Sequence, residues 1–199
     1  MQGFLSLILD RTIEGRRSIH LRKGLLLDDV FPSGRMVVVI DSGELEVRCR
    51  YGGLANILTA GEAYGIANLF CDEPLPGRLK TRSDVELTLL PKAAVRQLMD
   101  RDTGLYHAYC RLVNRKLDFL FSRVELLSIK SNRRRVACYL LSEDEGPLPS
   151  RDALADYLAM GRSALFRELG YLESVGAISY SAQDIVVLDR ERLKEVADA

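Results

Sequence analysis

Tryptophan is absent from the 199-residue sequence, and histidine and cysteine are scarce, with 2 and 4 residues. The cysteines are spread along the chain without any Cys-x-x-Cys spacing, at Cys49, Cys71, Cys110 and Cys138. Structural zinc sites and disulfide-stabilised folds need clustered cysteine or histidine. These two classes of protein are therefore excluded, and we expect reduced thiols, no metal site and no cofactor.

Long hydrophobic runs are also missing. The longest ones, such as Val37–Ile40, are far shorter than the roughly 20 residues that cross a bilayer. The N-terminal residues Met1–Phe4 lack the basic side chains that begin a secretory signal. The sequence therefore predicts no contact with the membrane and a cytoplasmic location.

The chain has no excess of either charge, because 28 lysines and arginines balance 28 aspartates and glutamates. A neutral chain does not by itself indicate a nucleic-acid partner. Such a partner has to be inferred from the local placement of positive side chains.

Short apolar runs separated by glycine turns fill the segment 18–90. The run Met36–Ile40, the turn Asp41-Ser42-Gly43 and the run Glu44–Cys49 together predict a β-hairpin. Tyr51-Gly52-Gly53 predicts a second turn of the same kind. Many short strands at this spacing predict an antiparallel barrel or jelly roll.

The segment 103–129 predicts one long helix with a seam of apolar residues. They recur at alternating steps of four and three, at Tyr106, Cys110, Val113, Leu117, Leu120, Val124 and Leu127. This spacing predicts that the helix pairs with its own copy in a homodimer. The alternative is a single amphipathic helix that packs only on its own domain.

A second apolar set follows a neighbouring stripe of the same helix. It recurs at steps of seven residues, at Leu105, Leu112, Phe119 and Leu126. Because apolar residues at this spacing share one helix face, we expect this set to pack on the barrel.

The segment 150–175 has the spacing of a helix-turn-helix. Its first helix is predicted over 150–158 and its second over 162–175, with the turn Ala159-Met160-Gly161 between them. Leu165, Leu169 and Leu172 follow the rhythm of a buried stripe on the second helix. Two short apolar runs joined by a polar turn, within 176–188, predict a wing after it.

The exposed face of the second helix carries candidate DNA contacts, at Arg162, Ser163, Phe166 and Arg167. A guanidinium fork matches the O6 and N7 acceptors of guanine, and a hydroxyl bonds several base edges or a phosphate. Ser150 and Arg151 begin the first helix, where backbone N–H groups suit a DNA phosphate. The alternative is a solvated surface on which Arg162 or Arg167 pairs with Glu168 or Glu173.

A basic run precedes the helix-turn-helix, at Lys130, Arg133, Arg134 and Arg135. It adds positive charge near the helix-turn-helix, and the alternatives are a solvated helix face or a brace between domains. Ser131 and Asn132 are candidate N-caps for a helix that begins there.

The order of these parts, a jelly roll, a long helix and a winged helix-turn-helix, resembles the Crp/Fnr family of bacterial transcription regulators over nearly the whole chain. The segment 150–169 resembles the family's DNA-reading motif, with two arginines five residues apart. The family typically has glutamate after the first arginine, where this chain has Ser163, and a serine or threonine cap, where it has Gly161. The resemblance therefore implies a different base preference, because a hydroxyl discriminates less than a carboxylate.

The resemblance also covers the sensor domain, where Gly61–Gly65 is similar to the family's phosphate-binding cassette. Cyclic-nucleotide binders of the family continue with glutamate and later an Arg-Ser pair, where this chain has Ile66 and Leu75-Pro76. The resemblance therefore implies that cyclic AMP is not used in the usual way. The candidate contacts of an unknown effector are Gly65, Ile66, Ala67, Asn68 and Arg78.

These features predict an α+β protein with a jelly-roll sensor domain at 1–102, a dimerisation helix at 103–129 and a winged helix-turn-helix domain at 130–199. The function they favour is a homodimeric, sequence-specific regulator that binds double-stranded DNA, has no enzyme activity and responds to a small molecule in the barrel. The resemblance adds RNA polymerase as a partner. The alternatives are a regulator without an effector and a cupin-type small-molecule-binding protein.

Overall fold

A computed structural model of the chain describes residues 3–29, 33–71, 73, 77–142, 150–181 and 184–199. Leu75-Pro76 lies outside the described residues, and so does part of the predicted turn of the wing, residues 182–183. The chain forms two compact units, Met1–Asp118 and Phe119–Ala199. The boundary between the units falls within the longest helix, so the predicted three-part division at 102 and 129 stays a prediction.

The N-terminal unit begins with a short helix and continues mainly as strands. Its first elements are α1 (Phe4–Leu9), β1 (Arg17–Leu21), β2 (Met36–Ser42), β3 (Leu45–Cys49), β4 (Leu54–Leu58), β5 (Ala63–Tyr64), β6 (Gly77–Thr81) and β7 (Val85–Pro91). Two helices follow, α2 (Lys92–Met99) and α3 (Thr103–Ser128).

The C-terminal unit contains the end of α3 and a run of short elements. They are α4 (Asn132–Leu141), α5 (Arg151–Tyr157), α6 (Arg162–Ser174), β8 (Ile178–Tyr180), β9 (Ile185–Val187) and α7 (Arg190–Asp198). An N-terminal sheet domain, a long helix and a C-terminal helix-turn-helix with a β8–β9 pair confirm the predicted fold class.

The strands of the N-terminal unit form two antiparallel sheets. One has the order β1-β7-β2-β5 and the other has the order β4-β3-β6. The turn at Tyr51-Gly52-Gly53 joins β3 to β4, as the sequence predicted. The turn after β2 does not make a hairpin, and that prediction is wrong, because β2 pairs with β5 and β7 while β3 pairs with β4 and β6.

The sequence of β2 explains this error. All four residues from Val37 to Ile40 are buried, because the strand packs on both of its faces. Val37 and Val39 join a core that includes α1, α2 and α3, whereas Val38 and Ile40 join the core between the sheets. A strand buried on both faces has a continuous apolar run, and such a run does not indicate which strand is its neighbour.

The apolar residues of α3 divide between the two units. Leu105 and Leu112 are buried in the core that includes β2, as predicted for the stripe that packs on the sheets. Leu126 is buried in the C-terminal unit, so the prediction that it packs on the barrel is wrong. Phe119 is half-buried.

Helix α1 was not predicted from the sequence. It buries Phe4 and Ile8 in the core that includes β2, and the Phe4 ring meets the edge of the Tyr109 ring at 5.4 Å between centroids. Six residues are too few to show a helical period, so the sequence pattern gave no signal for it.

The described cysteines are free, and among the described residues no three His, Cys, Asp or Glu side chains are grouped as metal ligands. Burial raises the pKa of the Cys138 thiol, and the Asp198 charge raises it further, against an opposing effect of Arg134. This thiol therefore stays protonated at neutral pH and is a poor nucleophile. Within the described part of the chain, no helix has the length and apolar character needed to span a membrane.

Gly65 has a backbone conformation that only glycine adopts without strain. Its φ is +79°, and a Cβ added to it would lie 2.6 Å from the Met36 carbonyl oxygen. Gly61 has a similar φ of +87°, but no described atom lies within 4 Å of a Cβ placed there. Gly61 therefore serves as a control for Gly65, because the two glycines share a backbone conformation and differ in whether a Cβ would meet a neighbour.

We expect Gly61→Ala to cost about 1–2 kcal/mol of unfolding free energy, because alanine is strained in the left-handed region. Gly65→Ala should cost clearly more, because its Cβ also meets backbone that cannot move away. Urea unfolding of the two variants measures the difference. Equal losses would contradict the close approach between Gly65 and β2.

Candidate nucleic-acid interface

The helix-turn-helix is built by caps and by a buried leucine stripe. The Ser150 hydroxyl accepts a hydrogen bond from the Ala153 amide at 3.1 Å and so caps α5. Gly161 is the N-cap of α6 and contributes no side chain to the cap. Leu165, Leu169 and Leu172 of α6 are completely buried, which places the opposite face of α6 toward solvent.

The turn between α5 and α6 is held by Arg135 of α4. Ala159 in this turn has a φ of +49°, a left-handed conformation that costs an alanine roughly 1–2 kcal/mol. Arg135 Nη1 donates to the carbonyl oxygens of Leu158 at 2.8 Å and Ala159 at 3.4 Å. Its Nε donates to the Ile129 carbonyl oxygen at 3.1 Å. One guanidinium thus joins the start of α4 to the turn.

The last turns of α3 are attached to α5 by Arg123. Its Nη2 donates to the Tyr157 carbonyl oxygen at 2.8 Å, and its guanidinium carbon lies 3.4 Å from the centroid of the Tyr157 ring. The Tyr157 ring also makes an edge contact with Tyr139, at 5.8 Å between ring centroids. No sequence pattern indicates this role of Arg123.

The three arginines of the basic run before the helix-turn-helix make contacts inside the C-terminal unit, while Lys130 and Arg134 are exposed as expected of a solvated helix face. Arg133 stacks on the Tyr171 ring at 3.5 Å, and its Nε donates to Glu168 Oε2 at 3.0 Å. Arg134 Nε donates to the Ala197 carbonyl oxygen at 2.8 Å.

Glu168 has a structural role that its place among the predicted surface partners of the arginines did not indicate. It is buried on the leucine side of α6 and receives Arg133 at Oε2 and Arg167 Nε at Oε1, each at 3.0 Å. Glu168 follows Leu165 by three residues, and this spacing places it on the buried stripe of α6. The spacing therefore indicates a buried carboxylate, and a buried carboxylate needs a cationic partner.

The candidate base contacts lie together at the N-terminal half of α6. Arg162, Ser163 and Arg167 are exposed and Phe166 is half-buried. The Arg162 guanidinium lies 5.5 Å from the Phe166 ring centroid. The structure therefore brings these four residues onto one accessible surface.

Both arginines of this surface have an acidic partner. Arg162 Nη1 lies 3.0 Å from Asp152 Oδ1 of α5, and Arg167 pairs with Glu168. The predicted pairing of Arg167 with Glu168 is thus present, whereas the partner of Arg162 is Asp152 and neither of the predicted glutamates. Arg162 and Asp152 are 64% and 68% exposed, so this pair is weak and can open, whereas Arg167 is 69% exposed and its partner Glu168 is buried.

Arg151 links the first helix of the motif to the β8–β9 pair. Its Nη2 donates to the Ser181 carbonyl oxygen at 3.0 Å. Ser150 already accepts a backbone hydrogen bond through its hydroxyl. Both candidate phosphate contacts are therefore also structural residues of this surface.

The candidate effector contacts are not brought together. Ile66 is only 2% exposed and belongs to the core that includes β2. Asn68 Oδ1 accepts from the buried Lys92 Nζ at 2.9 Å, and Lys92 also donates to the Cys71 carbonyl oxygen at 3.1 Å. Ala67 is exposed, Gly65 contacts β2 and Arg78 lies on β6. Ile66 therefore fills the core in this structure, and its role as an effector contact stays a prediction.

The candidate dimer seam of α3 is largely exposed to solvent. Six members are exposed, namely Tyr106, Cys110, Leu117, Leu120, Val124 and Leu127, and Val113 is half-buried. Phe121, which the heptad pattern did not include, is 68% exposed beside them. So many exposed apolar side chains on one helix are unusual for a face that remains in water.

Residues 134–196 match a family model described as the Crp-like helix-turn-helix domain. No curated protein sequence matches the chain. Among solved structures, FixK2 from Bradyrhizobium japonicum matches with a TM-score of 0.71 at 18% identity, over 92% of this chain and 98% of that chain. A CooA variant from Carboxydothermus hydrogenoformans matches with a TM-score of 0.77 at 16% identity, over 98% and 96% of the two chains.

A CRP/FNR-family transcriptional regulator from Thermus thermophilus matches with a TM-score of 0.64 at 20% identity, over 92% of this chain and 99% of that chain. At these identities the three structures show a shared fold. The fold extends over nearly the full length of each.

We expect Arg135→Met to destabilise the C-terminal unit by about 1–3 kcal/mol, because the part-buried bonds to the Leu158 and Ile129 carbonyl oxygens are lost. Arg134→Met, on the same helix, removes a bond to one carbonyl and should cost less. Thermal or urea unfolding of both variants measures the effect. A larger loss for Arg134→Met would contradict the role of Arg135 in the turn.

Proposed function

We propose that this chain, a CRP/FNR-type DNA-binding transcription regulator by its Crp-like helix-turn-helix domain and its fold, acts as a homodimer that reads a near-palindromic DNA site. The observation that carries this proposal is the exposed pair Arg162 and Arg167 on α6. Each of them pairs with one carboxylate, Arg162 with Asp152 and Arg167 with Glu168, but their side chains remain 64% and 69% exposed and so stay accessible to DNA.

The recognition surface consists of the N-terminal half of α6 and the start of α5. In the major groove, Arg162 and Arg167 bond guanine O6 and N7, Ser163 bonds a base edge or phosphate, and Phe166 contacts a thymine methyl group. Ser150 and Arg151 lie at the N-terminal end of α5, where helix N–H groups and a guanidinium meet a DNA phosphate. Each protomer reads one half-site in this arrangement.

The homodimer forms through the exposed seam of α3. A second copy of the same helix covers Leu117, Leu120 and Val124 with identical residues, as in a parallel coiled coil. Two-fold symmetry then sets the two α6 helices about 34 Å apart, in successive major grooves. The dimer thus explains why apolar side chains stay exposed on a single chain.

Two modes of regulation are supported to different degrees. A small molecule bound by the N-terminal unit would shift the α3–α4 junction at 129–131 and so the two reading helices. The burial of Ile66 and the bond between Asn68 and Lys92 favour the second candidate, a regulator that needs no effector in the family's usual pocket. Action in the cytoplasm and contact with RNA polymerase follow from the family alone.

We expect Arg162→Ala to cost about 1–3 kcal/mol in binding to the selected site and to relax the preference at one base pair per half-site. Arg167→Ala should act in the same way at another base pair. Site selection from random duplex DNA identifies the target, and titration at several salt concentrations measures the loss. Equal losses on selected and random DNA would contradict base reading by these residues.

Asp152→Asn provides the complementary test on the same DNA. It removes the acidic partner of Arg162 without shortening any side chain, so we expect tighter binding of the selected site. Glu195→Gln, on the exposed surface of α7, is the control for removal of one negative charge. Weaker binding by Asp152→Asn would show that the pair holds Arg162 in its reading position.

We expect Leu120→Glu to convert the dimer into a monomer, because it places a charge in the centre of the seam. Arg115→Glu, exposed on α3 but outside the seam, should leave the dimer intact. Sedimentation equilibrium reports the mass of each variant. If wild type is monomeric at micromolar concentration, the homodimer proposal is overturned, while the reading surface can still be tested on a single half-site.

A further inference from the structure

The three-stranded sheet carries a cleft with an excess of positive charge. It has a volume of about 190 Å³, and its walls include Arg48, Cys49, Arg50, Arg78 and Lys80. We refer to these five residues as the basic cleft. Carboxylate side chains do not line this cleft among the residues that the structure describes.

Strand pairing places these charges on the outer face of the sheet. Arg48 of β3 lies directly opposite Arg78 of β6, and Glu46 lies opposite Lys80. The alternate residues Leu45 and Leu79 point into the core between the sheets. Because successive side chains of a strand point to opposite faces, the basic side chains share the face that is turned away from that core.

Most of the charge in the basic cleft is not neutralised. Arg48 pairs with Glu46 and donates from Nη1 to the Gly52 carbonyl oxygen at 2.7 Å. Within the described part of the chain, Arg50, Arg78 and Lys80 take part in no ion pair. Arg82, just after β6, differs because it pairs with Glu44 at 3.4 Å and Glu46 at 3.3 Å.

Like charges opposite each other destabilise an antiparallel strand pair. Arg48 and Arg78 lie opposite each other on neighbouring strands, and Arg50 and Lys80 line the same cleft. An anion between these four side chains would therefore reduce their mutual repulsion. Guanidinium groups match phosphate oxygens in two-point hydrogen bonds. We propose that the basic cleft binds a phosphate-type anion.

The volume of the cleft restricts what can enter it. Pockets for drug-sized ligands measure roughly 300–1,000 Å³, so the basic cleft is too small to enclose a whole nucleotide. Inorganic phosphate or the phosphate group of a small monoester does fit. Of the candidate effector contacts, Arg78 lines the basic cleft, whereas Gly65, Ile66, Ala67 and Asn68 do not. The basic cleft shares no residue with the proposed DNA-binding surface.

Binding is measured on the full-length protein by phosphorus NMR titration with inorganic phosphate at constant ionic strength set by chloride. We expect Arg78→Gln and Lys80→Gln each to weaken binding at least tenfold. Arg17→Gln, exposed on β1 of the other sheet, should leave it unchanged. Without phosphate, Arg78→Gln should be at least as stable as wild type, because it removes one of two opposed like charges.

Cys49 provides a second readout, because its thiol is exposed in the wall of the cleft. Phosphate should slow alkylation of Cys49, followed by mass spectrometry of its peptide, and should not slow alkylation of the exposed Cys71 in the same sample. In the Arg78→Gln variant, the protection of Cys49 should disappear.

Titration with glycerol 3-phosphate distinguishes two possible ligands that carry the same group, the free phosphate anion and an organic phosphate monoester. Tighter binding than that of inorganic phosphate identifies an organic monoester as the ligand class, and equal or weaker binding identifies the free anion. The proposal is overturned if phosphate binding survives Arg78→Gln and Lys80→Gln, if chloride protects Cys49 equally well, or if no binding occurs. Protection of Cys49 by random duplex DNA and not by phosphate would also overturn it.

Discussion

Glu168 is buried on the recognition helix and holds two arginines at once, one from α4 and one from the exposed face of α6. Arg133 stacks on Tyr171 as it reaches this carboxylate, so α4 and α6 are joined by charge and by ring contact together. Arg167 approaches the same carboxylate from the solvent side. The orientation of the proposed recognition surface therefore depends on a carboxylate buried beneath it.

The arginines of the two units differ in how they are held. In the C-terminal unit, Arg123 and Arg135 bind backbone carbonyls of the helix-turn-helix, whereas Arg162 and Arg167 pair with carboxylates and keep most of their side-chain surface exposed. In the N-terminal unit, Arg82 is paired with glutamates, and the basic cleft lies beside it on the same sheet. A chain without net charge can therefore present arginines on two local surfaces.

The sequence predicted the parts of the fold whose signal is local. The helix-turn-helix follows from a leucine period and the short turn Ala159-Met160-Gly161, and all three leucines of α6 are buried as expected. Strand partners were not predictable at β2, because a run buried on both faces has no polar side to indicate its neighbour. The partner of Arg162 was missed for a similar reason, since Asp152 is ten positions away and meets it only after the turn forms.

The double burial of β2 has a consequence for how the N-terminal unit assembles. One strand supplies Val37 and Val39 to the core that includes the helices and Val38 and Ile40 to the core between the sheets. Neither core is complete before the other has formed around the shared strand. The sheets and their helices should therefore fold and unfold in a single cooperative transition, without a stable intermediate in which the sheets stand alone.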